Sequence, residues 1–318
     1  MIDLLLLLLG FIPLIYGANI LVDGASSLAK KMNVPNIVIG LTVVAFGTSA
    51  PEMIVNVFAS VSGDSAIVLG NAMGSNIFNV LGILGISALI YPLAVRKTTT
   101  WIEVPLSLLS AIIVLVLAND IFIDRANVSV LSRIDGLVML AFFIIFLAYN
   151  IVLSRSGKIV DETIAVKSYF VGQSVMLIIA GLLLLVLGGK IIVTFATDLA
   201  QSFGISERII AITIVSIGTS LPELATSVIA ARKKNVDIAI GNIVGSNIFN
   251  VFFILGLSAV INPVFIQQIS NFDMLANIAA SILLFIFIFT GKGRRLDRRE
   301  GAIFIGLYAA YVAALIIS

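Results

Sequence analysis

The chain has 318 residues, 60% of them apolar and 11% charged, with a mean hydropathy of +1.18. Soluble domains carry about 45–50% apolar and about 25% charged residues, so a water-exposed globule is excluded and an integral membrane protein is implied. The net charge of +2, with no basic patch among aromatics, offers nothing to nucleic acid, and zero Cys and zero His remove disulfides, thiolate sites and imidazole chemistry.

In chain order, apolar segments fall at 2–28, 36–60, 66–91, 101–118, 134–153, 170–197, 208–231, 237–261, 273–290 and 301–317. At about 20 residues per span these predict ten transmembrane helices. The opening Met1-Ile2-Asp3 and six leucines lack a basic leader region, and predict a first span, not a cleaved signal. Several segments exceed one perpendicular crossing, which predicts tilt or internal breaks.

An internal repeat organises the chain. Gly47-Thr48-Ser49-Ala50-Pro51-Glu52 recurs as Gly218-Thr219-Ser220-Leu221-Pro222-Glu223, and Gly70-Asn71 through Asn79 recurs as Gly241-Asn242 through Asn250, both at an offset of 171. About half the aligned pairs between residues 40 and 92 are identical, far above chance for apolar sequence. Two halves follow, 1–153 and 169–318, joined by a short polar linker at 154–168. Five spans per half is an odd number, so the halves are expected to be inverted relative to each other. The fold expected is therefore all-α, ten helices in two inverted five-helix repeats, with helices 2 and 7 interrupted.

Charge sets the orientation. With the amino terminus outside, fifteen cations, among them Lys30, Lys31, Arg96, Lys97, Lys167, Arg232 to Lys234 and Arg294 to Arg299, lie on cytoplasmic loops. Only Arg125, Arg133 and Arg208 lie outside. This predicts a multi-pass protein of the inner membrane with both termini outside. Lys190 is expected to snorkel. Asp64, Asp120, Asp124 and Asp135 are expected to be solvated, Asp23 to sit near a span end, and the arginine cluster to anchor the cytoplasmic face.

Glu52 and Glu223 lie deep in apolar spans, where an ionisable side chain costs on the order of 3 kcal/mol and faces a partner or a cavity. Pro51 and Pro222 remove a backbone donor beside them, and Gly47 and Gly218 loosen the preceding turn, so a break is expected between glycine and proline. Such a break would turn the carbonyls of Ala45 to Thr48 and Ser216 to Thr219 inward, beside the hydroxyls of Thr48, Ser49, Thr219 and Ser220. Asn71, Ser75, Asn76 and Asn79, and their mates Asn242, Ser246, Asn247 and Asn250, largely share one helical face. They serve either as a polar lining or as interhelical glue, and the nearby glycines as close-packing points. Carboxylates, hydroxyls, amides and carbonyls without sulfur or imidazole are hard donors suited to Ca²⁺ and Na⁺. Two facing carboxylates are neutralised by one divalent or by two or more monovalent cations.

At these residues the sequence resembles the cation/calcium exchanger superfamily, and within it the prokaryotic sodium/calcium exchangers, whose paired repeats look like the two G-T-S-x-P-E and the two G-N-x-x-G-S-N-I-x-N segments here. The resemblance implies Glu52 and Glu223 as central Ca²⁺ ligands. It also implies that Thr48, Ser49, Thr219, Ser220, Ser75, Ser246 and Asn79, with the Ala45 and Ser216 carbonyls, complete overlapping Na⁺ and Ca²⁺ sites. Asn250 joins them as the mate of Asn79; some relatives carry aspartate there. In similar proteins spans one and six slide as a gate. The expected function is Na⁺/Ca²⁺ antiport by alternating access, with no cofactor and no obligate protein partner beyond the lipid bilayer. Ca²⁺/H⁺ antiport on the same fold and a passive cation channel are the alternatives. An enzyme is not expected, because Ser49 and Ser220 lack a His base and neither H-E-x-x-H nor G-x-S-x-G is present.

Overall fold

The computed structural model describes residues 2–155, 167–203, 216–266, 270–290 and 293–317. Helix α1 spans Ile2–Met32, α2 Asn36–Thr48, α3 Ala50–Ser62, α4 Ser65–Ile90, α5 Thr99–Leu117 and α6 Arg133–Arg155. The second half contributes α7 Val171–Ser202, α8 Ser216–Thr219, α9 Leu221–Arg232, α10 Val236–Ile261, α11 Ser270–Thr290 and α12 Arg298–Ile317. Among the described residues eight helices are long and apolar enough to cross a membrane, nine if α2 and α3 count as one bent span. The expected span at 208–231 is described only from 216. The linker at 156–166, Arg208 and Lys292 also lie outside the described residues.

Length and composition explain why the chain is almost entirely helical. Backbone groups in lipid must bond within their own segment. Turns between spans use local chemistry: Gly63 ends α3 at φ 76°, a left-handed cap glycine adopts readily, and Asp64 then caps α4 by accepting from Ile67 N. Asn235 caps α10 in the same way. Asp64 is thus a cap, Asp120 accepts from Val130 N, and Asp135 accepts from Ser132. Asp64 and Asp124 are exposed, as expected of solvated acids, whereas Asp120 and Asp135 are half-buried and tie down loop backbone. Lys190 is exposed on α7.

The helix axis breaks at Ser49 (φ −81°, ψ 8°), where α2 and α3 bend by 48°, and again at Ser220 (φ −90°, ψ 9°) between α8 and α9. Pro51 and Pro222 occupy the first turn after each break, a position that needs no intrahelical N–H. Sequence did not announce a second irregularity: π-helical turns at Gly40–Val44, Phe78–Leu84, Thr99–Glu103 and Phe249–Leu255.

Helices α4 and α10 form the axis of the bundle, 78% and 83% enclosed along their most apolar stretches against 17–39% for the other six single spans. They run antiparallel. Ser65 at the start of α4 accepts from Phe265 N beyond the end of α10, and Arg96 beyond the end of α4 pairs with Asp237 at the start of α10. Two short antiparallel strand pairs close the ends: β1 Leu93–Ala94 with β4 Arg295–Leu296, and β2 Val130–Leu131 with β3 Val264–Phe265.

Glycine governs the closest approaches. On α1 and α7, a Cβ on Gly17 would stand 2.8 Å from the Gly181 carbonyl, and one on Gly188 would stand 2.9 Å from the Gly10 carbonyl. These helices therefore pack backbone to backbone. A Cβ on Gly47 would lie 2.5 Å from Leu182 and one on Gly218 2.1 Å from Val193, so α7 closes over both breaks. On α10, a Cβ on Gly245 would lie 2.7 Å from the Leu41 carbonyl of α2, whereas Gly70 has open space. Gly245→Val is expected to destabilise the detergent-solubilised protein by about 2 kcal/mol, as overpacking does, and to lower its melting temperature in a fluorescence-detected thermal scan. Gly70→Ala should leave that temperature unchanged or slightly raised.

Candidate cation site

Each break places a serine and then, three residues on, a glutamate in the first turn of the next helix, where the positive end of the helix dipole favours a carboxylate. Glu52 and Glu223 are 1% exposed and Ser49 and Ser220 fully buried. The serines cross between halves. Ser49 donates to Glu223 Oε1 at 2.9 Å, and Ser220 donates to Glu52 Oε1 at 2.8 Å. Ser246 lies 3.0 Å from Ser49, and Ser75 lies 3.1 Å from Ser220. Glu52 also feels the charge of Glu223, so the two carboxylates share one electrostatic environment.

A second layer supports the first. Thr48 Oγ1 lies 2.9 Å from Asn242 Oδ1, and Thr219 Oγ1 lies 3.4 Å from Asn71 Oδ1. Asn71 Nδ2 donates to Asn56 at 2.7 Å and to the Glu52 carbonyl at 3.3 Å, while Asn242 Nδ2 donates to Ser227 at 3.0 Å and to the Glu223 carbonyl at 3.3 Å. Around the axis, Asn79 donates to Asn247 Oδ1 at 2.9 Å and Asn250 to Asn76 Oδ1 at 3.0 Å. Asn76 and Asn247 also donate to each other's main-chain carbonyls. Every one of these contacts has its counterpart 171 residues on.

Asn76 and Asn247 are therefore the glue, and Asn79 and Asn250 the residues they orient. Within this ring of carboxylates and axial amides, four buried oxygens have no hydrogen-bond partner among the described residues: Oε2 of Glu52, Oε2 of Glu223, Oδ1 of Asn79 and Oδ1 of Asn250. Buried acceptors of this kind cost free energy unless something binds them. All four are hard oxygens, two of them anionic, which is the donor chemistry of Ca²⁺ and Na⁺.

One expectation is corrected. The carbonyls of Ala45 and Gly47 are not released by the break: α2 keeps its bonding up to Thr48, and both accept backbone N–H groups at the helix end, Ala45 from Ser49 at 3.0 Å. Ala45 also accepts from the Thr48 hydroxyl at 3.4 Å. Ser216 opens α8. Two residues of the second layer, Asn56 and Ser227, were missed by sequence reading, although each stands one helical turn after its glutamate, on the same face. Glu103 was also missed. It is fully buried on α5 and accepts from the Tyr149 hydroxyl of α6, and its repeat position is Met274, so the repeat gave no signal.

A polytopic helical bundle with an anionic ring of hard oxygens at its centre is of the membrane cation-transporter class. The family described as sodium/calcium exchanger protein matches residues 2–152 and 173–317. The inner membrane protein YrbG of Escherichia coli is 35% identical over 98% of this chain and 95% of its own length. The sodium/calcium exchanger MaX1 of Methanosarcina acetivorans is 33% identical over 99% and 98%. A structure of the sodium-calcium exchanger NCX_Mj, soaked with Na⁺ and Ca²⁺, superposes with a TM-score of 0.84 at 33% identity, covering 99% of both chains. The chain belongs to the sodium/calcium exchanger family.

The cross-half hydrogen bonds give a direct test. In a double-mutant cycle on thermal stability, Ser49→Ala and Glu223→Gln are expected to couple by about 1–2 kcal/mol, as befits a hydrogen bond to a charged group. Pairing Ser49→Ala with the distant Glu103→Gln should give additive losses.

Proposed function

We propose that this protein is a secondary active antiporter that exchanges Na⁺ for Ca²⁺ by alternating access, with the cations held between Glu52 and Glu223. The observation that carries the reading is the set of four unsatisfied buried oxygens, two from each half. One divalent ion, or several monovalent ions, would cancel the paired charge and fill the same donors, so occupancy by one species excludes the other. That exclusivity is what exchange requires. Ser49, Ser220, Ser75, Ser246, Thr48 and Thr219 complete the oxygen set, and the Ala45 and Ser216 carbonyls extend it.

Sodium coupling is preferred to proton coupling because Asn occupies both 79 and 250, which leaves Glu52 and Glu223 as the titratable groups of the ring. The architecture we assign is ten spans in two inverted halves, 1–153 and 169–318. It is supported by the repeat, the antiparallel course of α4 and α10, and the pairing of every cross-half contact of the central site. The end bearing Lys30, Arg96 and Arg294 is assigned to the cytoplasm, with both termini outside. The backbone-to-backbone packing of α1 on α7, closer than the contact of either with the rest of the bundle, suits a pair that slides as one unit over both breaks to open one side at a time. No cofactor enters this scheme.

In liposomes loaded with ⁴⁵Ca²⁺, an imposed inward Na⁺ gradient is expected to drive Ca²⁺ efflux against its own gradient. Glu52→Gln and Glu223→Gln should each abolish that flux while the protein remains monodisperse. Efflux that follows a pH step and ignores Na⁺ would replace this reading with Ca²⁺/H⁺ exchange, and flux that never builds a Ca²⁺ gradient would replace it with a channel.

A further inference from the structure

Polar contacts fasten α1 to the core at its basic end. There Lys233, at the α9–α10 turn, lies 2.7 Å from Asp23 Oδ1 and donates to the Asn19 carbonyl at 2.9 Å. Lys167, just ahead of α7, lies 3.1 Å from Asp23 Oδ2. Asn235 in the same turn donates to Ser26 at 2.8 Å. On the α7 side, Ser27 accepts from Tyr169 N and from the Ser174 hydroxyl, both at 2.9 Å. One carboxylate of α1 thus serves two ammonium groups. The Asp23–Lys233 pair is withdrawn from water, with side chains 19% and 29% exposed, so it is screened less than a surface pair. Lys167, 68% exposed, adds less.

The repeat breaks here. At the offset that maps every contact of the central site onto its twin, Asp23 corresponds to Thr194, Lys233 to Ser62, Ser26 to Thr197 and Asn235 to Asp64. Asn235 and Asp64 both cap a helix, yet only the amide has N–H groups left to reach α1. Among the described residues the two ends of the bundle are therefore alike around the ion ring and unlike where the mobile pair meets the core.

We propose that Asp23, Lys233 and Lys167 form a charge latch that holds α1 and α7 closed on the core at the basic end, so that the ion-free protein prefers to open at the opposite end. This rests on the alternating-access reading above. Any opening at the basic end draws α1 away from the α9–α10 turn and separates Asp23 from Lys233, while opening at the other end leaves them together. The pair thus weights one of two states, and only such a differential contact shifts an equilibrium. Asp23 touches no ion ligand and is a positioning residue.

The test measures Ca²⁺/Ca²⁺ counterflow in oriented vesicles, with half-saturating Ca²⁺ determined at each face. Asp23→Asn and Lys233→Gln are expected to lower that concentration at the basic face by roughly fivefold, about 1 kcal/mol. They should raise it at the opposite face. Reversing both charges, with Asp23→Lys and Lys233→Asp together, should restore the parent values. A change in maximal rate alone, a shift of the same sign at both faces, or no shift overturns the latch.

A second measurement needs no transport. The chain has no cysteine, and Ser26 beneath the latch is 6% exposed, so Ser26→Cys reports opening through labelling by a membrane-impermeant maleimide at the basic face. Adding Asp23→Asn should speed labelling by a similar factor, and equal rates overturn the proposal. If the parent protein carries no Ca²⁺ flux, the exchange reading fails, and the labelling rates still judge the latch.

Discussion

The structure depends on keeping two carboxylates together inside a bilayer. Among the described residues neither Glu52 nor Glu223 has a cationic side chain among its contacts, and each accepts from one serine hydroxyl of the opposite half. That is enough to orient a carboxylate oxygen and too little to neutralise it. The remaining features serve this arrangement. Serine at each break supplies the donor, proline fixes where the break falls, and the asparagine ring holds two more oxygens at the axis without adding charge.

Packing follows from the same requirement. Helices that carry so many polar groups cannot face lipid, so α4 and α10 are enclosed by the others. The glycines of α10 let α2 approach almost to backbone contact, which brings a broken helix and a polar helix into hydrogen-bonding range. Spans with apolar faces, α1 and α7 among them, are left at the periphery with much of their surface in lipid. Rigidity at the axis and looser attachment outside it come from one distribution of residue types.

Much of this was legible in the sequence because the repeat doubled every signal. A single Pro-Glu in a helix is ambiguous, while two at one spacing with matching Gly-Thr-Ser ahead of them restrict the reading to a paired site. Asn56 and Ser227 were within reach of the same reasoning, one turn past each glutamate. Features outside the repeat were not. Asp23 looked like an ordinary residue near a span end because its partners lie 144 and 210 positions away. Glu103 has no twin to draw attention to it. The π-helical turns have no composition of their own, since they arise where tertiary packing accommodates an extra residue. Carbonyl direction at the breaks was misjudged because proline removes a donor without dictating how the preceding turn compensates.

The reciprocity of the contacts across the centre carries a consequence for origin. Residue i of one half meets residue j of the other, and j meets i in return, which is the signature of an isologous interface. On the architecture of two inverted halves proposed above, a single half bearing these residues would already have been self-complementary as an antiparallel homodimer, its two copies inserted in opposite senses. Fusion into a single polypeptide would then free each copy to diverge, as Asp23 and Lys233 differ here from Thr194 and Ser62 at their repeat positions.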